Sequence, residues 1–112
     1  MAEKILMQKK SLKHPANKAF FKNFHDKVVR SGKAVTENGQ TTTMRIIGLE
    51  YQGKEYLLPS FNPETGKVMT DGQAIIKKYL PDIKAGRLVG YDNPKQAEQD
   101  RKIFYPEIIG NR

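Results

Sequence analysis

The chain has no cysteine, so disulfides and thiolate metal centres are excluded. That absence is compatible with assembly in a reducing cytoplasm. It also has no long apolar run. The longest doublets, such as Ile46-Ile47 and Leu57-Leu58, fall far short of the roughly 20 residues a membrane helix needs. Lysines and Gln8 follow Met7 at once, so no signal-peptide core is expected at the N-terminus. Acid is scarce at that end. Residues 1–33 hold eight Lys and one Arg against only Glu3 and Asp26. Residues 34–112 hold eleven cations against ten acids, so the net charge of +8 belongs mostly to the first third. Such asymmetry points either to an arm that meets an anionic surface or to a merely solvated segment.

What is present fits one domain of 112 residues, with five Phe and five Tyr as bulky core material. Residues 1–13 are polar and Lys-rich, and they read as an extended basic arm. Residues 14–112 read as a single small α+β domain. From Ala16 to Arg30, Phe20, Phe21, Phe24 and Val28 recur at helical spacing, and Gly32 is a fitting stop. This predicts an amphipathic helix. Its Phe20, Phe21, Phe24 face would pack on the following sheet or dock into a partner protein. The candidate contacts for a partner or for nucleic acid are Lys4, Lys9, Lys10, Lys13, Lys18, Lys22, Lys27, Arg30 and Lys33.

Residues 33–61 read as a three-stranded antiparallel meander. Asn38-Gly39 and Gln52-Gly53 supply its turns, with positive φ expected at both glycines. The central strand, Thr41 to Tyr51, would turn Ile47, Leu49 and Tyr51 inward and Met44 and Ile46 outward. Residues 62–69 read as a loop. Thr70 with Gln73 predicts a capping box for a helix that stops before Pro81, and Asn93 with Gln96 predicts a second. The last helix would run from Pro94 to about Phe104 and end at Pro106. The fold class is therefore α+β, with the two C-terminal helices packed on one face of the sheet.

Five motifs follow in order. They are Gly53-Lys54 leading to Leu58-Pro59-Ser60; Gly66; Asp71-Gly72-Gln73-Ala74-Ile75 ending in Tyr79; Gly86 through Gly90-Tyr91; and Asn93-Pro94 with Ala97 and the closing Tyr105. Asn38 to Arg45 looks like the matching leading strand. The series, over about residues 39–105 and fitting a module of about 33–106, resembles a module of large tailed-phage virion proteins. That module occurs in internal or ejected proteins and beside virion-associated lysins. The chain departs from it at Pro81-Asp82-Ile83-Lys84, which lengthens one link, and at Gln99-Asp100 in the last helix.

The resemblance implies a non-enzymatic structural or ejection-associated component of the particle, with no cofactor and no catalytic residue to carry over. Implied partners are other virion proteins, packaged DNA and further copies of the chain. Two other readings stay open: a small phage DNA-binding protein using the basic N-terminal region, and an inhibitor of host machinery.

Other chemistry is thin. His14 and His25 lie eleven residues apart, too far for a paired zinc-ligand motif. No phosphate-binding Gly-rich loop and no nucleophile triad can be assembled. Asp71 with Glu64, and Asp82 with Asp92, are conceivable acid pairs, but helix-start and turn roles explain them as well. Tyr51, Tyr56 and Phe61 are conceivable as a stacking platform for single-stranded nucleic acid.

Overall fold

A computed structural model describes residues 11–110. Helix α1 spans Pro15–Ser31. Proline opens it, where no amide partner is needed, and Gly32 closes it in the left-handed region at φ 73°. Its buried stripe is Asn17, Phe21, Phe24 and Val28. Strands β1 (Val35–Glu37) and β2 (Gln40–Thr42) form an antiparallel ribbon around Asn38 and Gly39, both at positive φ. Strands β3 (Ile46–Tyr51) and β4 (Lys54–Pro59) form a second ribbon around Gln52 and Gly53. A third, of two residues per strand, joins β5 (Phe61–Asn62) to β6 (Lys67–Val68). Helices α2 (Gly72–Lys84) and α3 (Pro94–Ile109) complete the α+β fold.

The expected three-stranded meander is instead three separate two-stranded ribbons. The long central strand breaks at Thr43–Arg45. Thr42 Oγ1 accepts from the amides of Met44 and Arg45, and Arg45 adopts φ 42°, outside the strand region. The break turns Met44 into the core, fully buried, rather than outward. The loop expected over 62–69 contains the β5–β6 ribbon, with Gly66 at φ 77° in its turn.

The helices also differ from expectation. Asp71, not Thr70, caps α2, accepting from the Gln73 amide at 3.0 Å. Helix α2 runs through Pro81 to Lys84, and α3 runs through Pro106 to Ile109. A mid-helix proline forfeits one amide bond. Here the extra turns bury Ile108 and bring Ile83 against the core, which offsets that loss. The Asn93 cap forms as expected, accepting from the Gln96 amide at 2.9 Å, while the Gln96 side chain accepts from Asp92.

The helices do not share a sheet face. Successive strand residues point to opposite faces, yet Leu57 and Leu58 are both buried. Leu57 shares a groove with Ala97 of α3, while the Leu49 side chain approaches Gly72 of α2. The β3–β4 ribbon is thus sandwiched between α2 and α3. Gly90 passes so close to it that an added Cβ would lie 2.5 Å from Lys54 Cβ. The core is aromatic: Phe21 stacks on Phe104 at 5.6 Å, Phe24 meets Phe61 edge-on at 5.6 Å, and Tyr79 meets Phe20 and Phe24.

Candidate functional site

Three buried polar side chains converge where α1, α3 and the Leu88–Tyr91 segment meet. Asn17 lies in the first turn of α1, Asp100 in the second turn of α3, and Tyr91 in a single bridge to Glu55. Asp100 is 3% exposed and Asn17 1%. Asp100 accepts from the Lys13 amide at 2.8 Å, the His14 amide at 3.0 Å and the Tyr91 hydroxyl at 2.8 Å. The same hydroxyl accepts from Asn17 Nδ2 at 2.9 Å. Asn17 also exchanges two bonds with the Val89 backbone, at 2.9 and 2.8 Å.

Burial pushes the Tyr91 phenol well above its ordinary pKa, the Asn17 bond opposes the shift, and Asp100 adds to it. A buried carboxylate is tolerable only with such donors. Both Asp100 oxygens are occupied by the fold itself, so this acid clasps the chain ahead of α1 onto α3.

The clasp changes the reading of the arm. Lys4, Lys9 and Lys10 lie outside the described residues. The described end is docked: Lys13 is held through its amide, and Leu12 packs against the core. Leu12 and Lys13, at the end of the segment read as an arm, thus lie against the folded body. Near the other end of the described residues, Ile108 is buried.

The remaining basic candidates do not form one patch. Lys18 pairs with Glu107 at 2.6 Å and Lys22 with Asp26 at 2.9 Å. The Lys33 ammonium donates to the Glu64 carbonyl at 2.8 Å. Lys27 and Arg30 are exposed and have no ion pair among the described residues. At 3.6 residues per turn, Lys18 and Lys22 fall on one flank of α1 and Lys27 on the other. The apolar partner face is corrected too. Phe21 and Phe24 are buried in the protein's own core, and Phe20 is half-buried against it, because the stripe packs on α3, Tyr79 and Phe61.

The conceivable catalytic groups are also placed. Asp71 caps α2, Asp82 pairs with Arg87 at 2.7 Å, and Asp92 pairs with Lys54 at 2.8 Å. The Lys54 ammonium holds the Asp92 carboxyl below its usual range. His14 leans on the Tyr91 ring at 4.9 Å, and His25 Nδ1 lies 2.5 Å from Thr43 Oγ1. Among the described residues no three His, Asp or Glu side chains cluster as metal ligands do. The stacking platform does not assemble, since Phe61 is fully buried and Tyr51 meets Tyr56 edge-on.

Sequence reasoning missed Asn17, Asp100, Arg45 and Ser60. Arg45 grips Glu37 with two bonds and donates to Ser60 Oγ at 2.8 Å, while its carbonyl accepts from Ser60. The one readable signal was Asp100 itself, an acid on the stripe shared by Ala97, Phe104 and Ile108. The chain matches no protein-family model, no curated protein and no solved structure. The resemblance of residues 39–105 to a virion module therefore rests on its ordered motifs alone.

Proposed function

We propose that the protein is a non-enzymatic structural or ejection-associated component of a tailed-phage particle. It is a compact module that binds other particle proteins and carries a basic N-terminal segment. The clasp is the observation that carries this reading. Asp100 pins the amides of Lys13 and His14 to α3, which fastens the chain to the folded body next to the segment whose sequence holds Lys4, Lys9 and Lys10. An adaptor with an anchored charged tail needs that arrangement. The non-enzymatic part is supported by the acids: Asp71, Asp82, Asp92 and Asp100 each have a structural partner. The ordered motifs from Gly39 to Tyr105 support the particle.

The test is mass spectrometry of washed, purified particles from infected cells. The protein should copurify at a fixed ratio to the major structural proteins. Its presence in the infected-cell lysate but absence from particles would overturn the proposal and favour a role inside the host.

A further inference from the structure

A groove of about 770 Å3 lies between the docked residues ahead of α1 and the outer flank of α3. Ser11, Lys13, Gln96, Gln99, Lys102 and Ile103 line it. Among the described residues, the only acid in its wall is Asp100, whose oxygens already serve the clasp. Gln96 spends its carbonyl on the Asp92 amide, which leaves its NH2 group to donate. Among the described residues the groove thus presents ammonium and amide donors, and the nearby Asp92 carboxylate is paired with Lys54. Lys95, Gln99 and Lys102, all exposed, recur at i, i+4 and i+7 and extend the donor stripe along α3.

We infer that this groove binds the sugar-phosphate backbone of duplex nucleic acid. Charge and chemistry favour phosphate over a protein partner. Among the described residues Ile103 is the only large apolar one in the lining, so a protein segment would find almost no desolvated anchor there. Among the described residues no aromatic ring lines the groove, which disfavours base stacking and single strands. Its cations are lysines, hydrated point charges suited to phosphate, while Arg45, Arg87 and Arg101 are already held by Glu37, Asp82 and Glu98. The inference does not depend on residence in a particle, and it places the contact on the folded body rather than on the N-terminal segment alone.

The experiment uses full-length protein and a labelled duplex of about 30 base pairs, titrated by fluorescence anisotropy at about 50 and 200 mM salt. Three proteins are compared: the parent, the groove pair Lys13→Glu with Lys102→Glu, and the α2 pair Lys77→Glu with Lys84→Glu, which makes the same change in charge elsewhere. The groove pair should bind about tenfold or more weakly at low salt, with a log–log salt slope flatter by about 2. The α2 pair should lose markedly less. Equal losses would show that only net charge matters and would overturn the inference. So would a parent that fails to bind DNA, or one that binds polyglutamate through the groove instead. If thermal melting shows that the Lys13 change loosens the fold, the α3-only pair Lys95→Glu with Lys102→Glu, which makes the same change in charge, carries the comparison.

Discussion

Around α1 and α3, Phe21, Val28, Phe104 and Ile108 are all buried, and the polar groups among them are fully paired. In the β1–β2 ribbon only Val35 is buried. Beside Val35, that ribbon is tied down by Arg45, which reaches from Glu37 to Ser60. The helical region is thus held by area and saturated hydrogen bonds, and the ribbon by turn chemistry, one buried valine and a cation. Local turn signals suffice to make a ribbon, but burial decides whether its loss is global or local.

The largest expected effect lies in the helical region. Phe104 is fully buried and stacks on Phe21 at 5.6 Å. Phe104→Ala should cost about 3–5 kcal/mol, a large share of the stability of so small a domain, read as a lowered midpoint in denaturant unfolding. A loss below about 1 kcal/mol would mean that the site collapses around the change and that the contrast between the regions is overstated.

Arg45→Ala should act on the other side of the comparison. The exposed pair with Glu37 contributes little, but the bond to the fully buried Ser60 is lost. The cost should be about 1 kcal/mol. Hydrogen exchange should rise in Val35–Thr42 and stay unchanged in α1 and α3. Equal acceleration throughout would show that the ribbon is cooperative with the core and erase the distinction.

The same contrast explains what could be read in the sequence. Signals confined to a few neighbours were legible: the turns at Asn38-Gly39 and Gln52-Gly53, the Gly32 stop, the Asn93–Gln96 cap and the Phe stripe of α1. Features set by partners far along the chain were not. Asp100 finds Lys13 across 87 residues, and no periodicity reports that. The break at Arg45 is made locally by the Thr42 hydroxyl but braced by Ser60, fifteen residues on, and the Thr-rich run alone reads as one strand. Pro81 and Pro106 are local breakers overridden by burial of the residues after them. The placement of α2 and α3 on opposite faces needed the burial of both Leu57 and Leu58, which a strand pattern alone does not distinguish from a hydrophobic edge.

The central claim is that Asp100 fastens the chain at Lys13 and His14, and amide hydrogen exchange measured by NMR tests it most directly. In the parent, both amides should be protected to a degree comparable with the buried turns of α1. In Asp100→Ala they should exchange at rates close to those of an unstructured peptide, under conditions where Phe21 and Phe104 remain protected. Unprotected Lys13 and His14 amides in the parent would contradict the clasp.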